Sequence, residues 1–388
     1  MTASQTKTVL TPAETGHPVW VYRYSCDAGP WTLSIATHAE PGSRKLSLGG
    51  FRIAPAELTD EPGFDADRMA IGLALGMEEK VYWSRLVHVG GPLALRDRGR
   101  IVGGKCVMHP TADARVGAPR DVQMLDFALD CFRDVEESAG IHLTTGQDLG
   151  HCTLHDGRTG SLDYLSARHR GCVDADTSKP TGEGNFFVLA GMLAGLGVDL
   201  GRARVLLVGL GNIGLHVLGR LREHGAEVVG LEAKPERRRD AERLGARTHE
   251  PSEKARLLDE PFDAVVVNAN KESLDLATCE RIARNPRMRV VCGSENLAMP
   301  DPRGAELLRA AAKLYAPTEF GGMMGYLTAV EEYLAHLEGI PFDVRSIFDA
   351  AQRLEEVSRE AASLAAARGF AIGFDEALRE VFSEPVGQ

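Results

Sequence analysis

Apolar positions recur along the chain in two alternating periods, and the alternation is most regular in the second half. Residues 205–208 form a short aliphatic run without charge, the pattern of a strand covered on both faces. Residues 215–224 repeat apolar positions at helical spacing, and 227–231 return to a buried-strand pattern. The same reading predicts a helix at 236–244, a strand at 264–268, a helix at 274–285, a strand at 289–292, a helix at 302–313 and a short strand at 314–316. Strands alternating with helices of this length predict a parallel, doubly wound sheet. Residues 326–386 carry long helical periodicity with one break around 338–342.

The first half is more mixed. Residues 1–18 read as a loose, polar start. Residues 19–23 and 31–36 alternate as half-buried strands do. A further strand at 45–53 carries Gly49 and Gly50, and a glycine pair inside a strand marks a bulge or a close approach to the backbone. A helix over 64–82 is followed by a Gly-, Pro- and charge-rich stretch at 85–100, read as a loop. The stretch 100–108 is strand-like, with Lys105 directly after two glycines. A helix covers 121–138, a strand 142–148, polar turn-rich sequence 155–180, and a helix 183–196.

Gly209, Gly211 and Gly214 form G-x-G-x-x-G where the strand at 205–208 turns into the following helix. The first glycine permits the tight turn, the second lets the backbone approach a pyrophosphate, and the third lets helix and strand pack closely. Asn212 and Ile213 complete the turn, where the helix N-terminus offers free N–H groups to phosphate. Glu232, at the end of the next strand, is placed to accept from a ribose 2′-hydroxyl, which predicts NAD rather than NADP. Asn268 and Ala269, at the end of the strand over 264–268, complete the expected cofactor contacts. The fold class is therefore α/β, with an N-terminal α/β domain over 1–180, a Rossmann-type domain over 181–335, and C-terminal helices over 336–388 packing back on the first domain.

Composition narrows the functions. A net charge of −11 with no offsetting basic block argues against nucleic acid as a partner. Seven cysteines without CxxC or Cys/His ligand spacing suggest reduced thiols in a cytoplasmic protein. His88, His109, His151 and His155 show no metal-site spacing, so no metal is expected. Neither an export signal nor a membrane-spanning apolar run is present.

Four separated motifs, in order, resemble the leucine, phenylalanine and valine dehydrogenase branch of the amino acid dehydrogenase family. LSLGGFRI around Gly49 and Gly50 is similar to that family's LGGxR strand, and GMEEK ending at Lys80 to its G-M-x-x-K. VGGKCVM around Lys105 is similar to its GGGK segment, and TTGQDLG around Asp148 to its T-x-x-D-x-G. The glycine fingerprint follows at the family's distance. The resemblance implies an NAD-dependent L-amino acid dehydrogenase acting on the CH–NH2 group of an amino acid or, in reverse, on a 2-oxo acid and ammonia. It implies that Lys80 binds the α-carboxylate, that Lys105 is the catalytic amine, and that Asp148 is its proton-transfer partner. Gly49 and Gly50 then line the substrate, and the first domain holds the substrate and oligomer contacts. A homo-oligomer, dimer or larger, is expected. A lysine can shuttle protons only if its pKa falls towards neutrality, which burial and a second cation favour.

The sequence also departs from the family. The interval from Lys80 to Lys105 is longer, as if a loop were inserted. The paired-asparagine segment reads GSENL, placing Glu295 and Asn296 on the substrate. PTGEGN keeps Thr181 at a serine-like cofactor position but puts Gly184 where threonine is expected. A carboxylate at Glu295 suggests an atypical substrate bearing a cation or a hydrogen-bond donor. Two other readings stay open: a reductase of a preformed imine or 2-oxo acid, and a non-catalytic nucleotide-binding homologue.

Overall fold

Tyr22 and Tyr24 alternate with Val21 along one strand, and this period of two assigns the faces of the first sheet. The computed structural model describes residues 5–27, 29–60, 62–146, 152–270 and 272–383. The chain divides into two compact units, one of Met1–Val81, Arg96–Ala175 and Ala329–Phe342, the other of Tyr82–Leu95, Asp176–Thr328 and Asp343–Gln388.

Among the described residues the first unit holds seven strands: β1 (Gln5–Leu10), β2 (Trp20–Cys26), β3 (Gly29–Thr37), β4 (Leu46–Leu48), β5 (Phe51–Ile53), β6 (Ile101–His109) and β7 (His142–Leu143). They form one mixed sheet in the order β1-β2-β3-β6-β4-β7, with β5 beside β6. Tyr22, Tyr24, Leu33, Ile35, Cys106 and Met108 share a core with the helix Asp121–Ala139, where Phe51 meets Phe132 edge-on with ring centroids 5.3 Å apart. Val21, Ala36 and Val107 belong to the opposite core, with Ala70, Leu73 and Ala74 of the helix Ala66–Val87. The sheet is thus covered by a helix on each face.

Three sequence expectations change here. The supposedly loose start contains β1, an edge strand that runs antiparallel to β2 from Gln5 opposite Cys26 to Leu10 opposite Val21. Its side chains are largely exposed, so the β2 ladder defines it more than any apolar period of its own. The single strand expected over 45–53 is two, because Gly50 takes φ +75° between β4 and β5. The loop expected over 85–100 starts as helix, since Ala66–Val87 runs on through buried Trp83 and Val87, and Pro92–Arg96 is helical too.

The second unit holds β8 (Arg204–Val208), β9 (Glu227–Leu231), β10 (Arg247–His249), β11 (Ala264–Val267), β12 (Val290–Gly293) and β13 (Leu314–Tyr315). They form a six-stranded, all-parallel sheet in the order β10-β9-β8-β11-β12-β13. The order reverses between β8 and β11, and ligands of doubly wound sheets bind at that switch point. The short edge strand β10 carries no alternation from which it could have been read. The helix Ser178–Gly195 starts earlier than the expected 183, absorbing Pro180 into its first turn, where a missing N–H costs nothing.

The C-terminal helix Val344–Ala367 belongs to the second unit and lies along Ser178–Gly195. Glycine explains the partnership. A Cβ on Gly191 would stand 2.2 Å from Glu355 O, and one on Gly195 2.7 Å from both Arg359 O and the Ala362 Cβ. No helix among the described residues is long and apolar enough to cross a membrane.

Glu332 closes one end of the first unit. It is 3% exposed and accepts from the amides of Asp174 at 3.1 Å and Ala175 at 3.2 and 3.1 Å. Burial pushes its carboxyl up to about 7; the Ala175 and Asp174 amides oppose the shift and the Asp174 carboxylate adds to it. The folded chain thus keeps a proton there that the unfolded chain releases near 4.5, so this stabilisation is complete below 4.5 and lost as pH rises through about 7. Between those pH values Tm is expected to fall by about 2–4 °C on this account. Thermal melts of Glu332→Gln should show the slope flattened; an unchanged slope would assign it to other groups.

Candidate active site

Gly103, Lys105 and Val107 share the face of β6 that meets the helix Ala66–Val87. A Cβ on Gly103 would stand 2.2 Å from the Glu78 amide nitrogen and 2.7 Å from Ala74 O, so only glycine lets this helix lie so close to the strand. Glu78 ties the two together by accepting from Gly103 N at 2.6 Å. Lys80 follows on the same helix and is 5% exposed; Lys105 is 4% exposed. Lys105 Nζ donates to Gly49 O. Gly49 approaches β6 so closely that a Cβ would meet Gly104 O at 1.5 Å, and Gly50 O accepts from Cys106 N at 3.0 Å. The structure therefore brings Lys105, Gly49 and Gly50 into contact and puts Lys80 on the helix covering Lys105's face of the sheet. Cys106 points to the opposite core, and burial pushes its thiol up to about 12, which leaves it an inert neighbour at neutral pH.

Asp148 lies outside the described residues. The segment leading to it extends the sheet, with Thr144 N donating to Ser47 O at 3.1 Å and Thr145 N to Gly171 O at 2.8 Å. Thr145 Oγ1 is 3.0 Å from His169 Nδ1, and the His169 Nε2 is 3.4 Å from Glu136 Oε1. His169 is 5% exposed and no sequence motif singles it out.

The second unit presents a cavity of about 450 Å³ at the carboxyl ends of β8, β9 and β11. Gly209, Gly211, Asn212, Glu232, Asn268 and Ala269 all line it. Each glycine plays a distinct part. Gly209 has φ +88°, and a Cβ there would stand 2.6 Å from Ala269 N. A Cβ on Gly214 would meet Gly209 O at 2.0 Å, so this glycine serves helix–strand packing. A Cβ on Gly211 would meet nothing within 4 Å, which leaves open space at the N-cap of the helix Asn212–Glu223. That space, with the first-turn amides of Asn212 and the half-buried Ile213, fits a pyrophosphate. Glu232 accepts from Leu210 N at 2.8 Å through one carboxylate oxygen and from Lys234 N at 2.9 Å through the other. Its orientation is fixed, and lone pairs remain for a hydroxyl donor. Asn268 Oδ1 accepts from Asn185 Nδ2 at 2.6 Å and Ser294 Oγ at 2.7 Å. The residues present suit a dinucleotide. Lys234, Arg237, Lys254, Asn270, Glu272 and Ser273 also line the cavity. Sequence reasoning missed Lys254 and Ser273, which no motif marks.

Two expected site residues, Glu295 and Thr181, have hydrogen-bond partners within the protein. Glu295 is 2% exposed and accepts from Ala269 N at 3.0 Å and Ser273 N at 2.8 Å. A buried carboxylate needs such donors, and backbone amides supply them without any ligand. Thr181 donates its hydroxyl to Thr177 O at 2.6 Å within its own helix and is not among the described residues lining the cavity. Gly184, where threonine was expected, has no room for one, since a Cβ would meet Met324 Cγ at 2.4 Å. Asn296 is half-buried beside Glu295. Among the described residues no group of three or more His, Cys, Asp or Glu is arranged to hold a metal ion.

Neither a protein-family model nor any curated protein matches the chain by sequence. Solved structures do match. L-tryptophan dehydrogenase from Nostoc punctiforme superposes with a TM-score of 0.60 at 20% identity, over 92% of this chain and 93% of that one. Hetero-hexameric glutamate dehydrogenase from Thermus thermophilus, in its Leu-bound form, gives 0.58 at 17% identity, over 98% and 90%. Plasmodium falciparum glutamate dehydrogenase gives 0.59 at 12% identity, over 98% and 82%. The chain has the two-domain α/β fold of these enzymes.

Proposed function

We propose that the protein is an amino acid dehydrogenase: an oxidoreductase that converts a 2-oxo acid and ammonia to an amino acid, and the reverse, with a nicotinamide cofactor. The observation that carries this reading is the buried Lys105, hydrogen-bonded to Gly49 O on a glycine-lined strand, in a chain sharing its fold with tryptophan and glutamate dehydrogenases. Lys80, buried on the adjacent helix, supplies a point charge for the α-carboxylate. Lys105 moves protons as ammonia adds to the oxo carbon and water leaves, and Asp148 exchanges protons with the reacting nitrogen. A bound nicotinamide would supply the hydride chemistry. Gly209, Gly211 and Gly214 shape the pyrophosphate seat, Asn212, Asn268 and Ala269 border it, and Glu232 receives the adenosine ribose.

The preferred cofactor is NAD, because the fixed Glu232 carboxylate accepts from a 2′-hydroxyl and repels a 2′-phosphate. The protein works as an assembly of more than one chain, in line with the hexameric description of the Thermus relative. Oxidation of NADH with a panel of 2-oxo acids is expected to depend on ammonium and to exceed oxidation of NADPH. Turnover without ammonium would favour a reductase of the oxo acid itself, and tight NADH binding without turnover a nucleotide-binding homologue. NADPH used as efficiently as NADH would overturn the cofactor assignment.

A further inference from the structure

The turn after β11 carries Ala269, Asn270, Glu272 and Ser273, and all four line the cavity. Two charged side chains from elsewhere in the unit grip it. Glu295, just beyond β12, accepts from Ala269 N at 3.0 Å through Oε2 and from Ser273 N at 2.8 Å through Oε1. Lys254, opening the helix Lys254–Leu258, donates from Nζ to Ser273 O at 2.6 Å. Ser273 is thus held at its N–H by a carboxylate and at its C=O by an ammonium. Burial draws the Lys254 pKa down, while the Asp275 and Glu295 carboxylates oppose the shift. Asp275 also fixes the end of the turn, accepting from Thr278 N at 2.7 Å. Charge-assisted bonds of this kind are among the stronger ones, and their ends here fall on the cavity wall.

We propose that Lys254 and Glu295 form a clamp that holds the turn after β11 in the shape that receives the dinucleotide. Both are positioning residues; neither reaches the reacting atoms. Glu295 is the cleaner of the two to test, because Lys254 lines the cavity and Glu295 is absent from its lining. The proposal rests on reading this cavity as the dinucleotide site.

The test uses the full chain with Glu295→Ala, Glu295→Gln, Lys254→Met and the double variant Glu295→Gln/Lys254→Met. Hydrogen exchange of a peptide spanning 264–276, measured without cofactor, should speed up in each variant while the rest of the unit keeps its protection. NADH affinity, followed by fluorescence titration, should weaken by about 10-fold or more in Glu295→Ala, the scale of losing charge-assisted hydrogen bonds. KM for NADH should rise in step, with kcat within about threefold, because the chemistry is untouched. Glu295→Gln keeps one acceptor and should fall between wild type and Glu295→Ala. The double variant should be less than additive, since both groups converge on Ser273. Should Glu295→Ala fail to fold, Glu295→Gln and Lys254→Met answer the question. Unchanged exchange with affinity within about twofold would overturn the clamp, as would exchange rising throughout the unit. Wild-type protein that binds neither NADH nor NADPH would overturn the reading of the cavity and leave the exchange result to judge the clamp.

Discussion

Lys105→Ala is expected to lower turnover by about 10²-fold or more while leaving NADH affinity nearly unchanged, the scale of a lost general acid–base group. The reason lies in where the residue sits. Lys105 is on β6 of the first unit, and every described residue lining the proposed dinucleotide cavity belongs to the second. Its ammonium is buried and donates to Gly49 O, so truncation also leaves that carbonyl without this donor. Loss of a single neutral acceptor's partner costs about 1–3 kcal/mol, which weakens the protein without unfolding a chain of this size. Lys105→Arg separates the two effects. It keeps a donor and the positive charge, but a guanidinium holds its proton throughout the working pH range and cannot shuttle it. Stability should recover in Lys105→Arg while turnover stays low. Near-normal turnover in Lys105→Ala would remove this lysine from the mechanism.

The second large effect is expected at Gly211. Its φ of −66° and ψ of −166° suit any residue, and a Cβ there meets nothing within 4 Å. Gly211→Val should therefore fold, losing at most about 1 kcal/mol through its poorer N-cap. The added methyl groups fill the space a pyrophosphate needs beside the helix N-terminus. Cofactor affinity is expected to fall by about 10²-fold or more with Tm shifted by only about 2–4 °C. Gly209→Val provides the contrast. It combines φ +88° with a Cβ 2.6 Å from Ala269 N, so it should lose fold and affinity together. Equal affinity in Gly211→Val and wild type, measured by titration calorimetry, would move the pyrophosphate elsewhere.

Much of the second unit was legible because its strands are buried on both faces and Gly209 and Gly214 sit at forced positions. β8 and β11 read directly as uncharged aliphatic runs, and the glycine fingerprint located the switch point between them. The edges were not legible. β1 and β10 depend on ladders to a neighbour, which leave no apolar period in their own residues. The partners of Glu295 were not legible for a different reason. Residue type gave its charge, but only the folded turn after β11 turns two amides towards it. Thr181 and Gly184 show the same limit, because only the fold brings the Thr177 carbonyl and the Met324 side chain against them. In the first unit, the pairing of Lys105 with the two glycines was legible as motif order. The reason for it, the close approach of Gly49 to Gly104 O on β6, was not.

The central claim is that ammonia enters the product. The most direct measurement is mass spectrometry of the product formed from a 2-oxo acid, NADH and isotopically labelled ammonium. The account predicts an L-amino acid carrying the labelled nitrogen, formed in step with NADH oxidation. A 2-hydroxy acid without label, formed at the same rate whether or not ammonium is present, would contradict it.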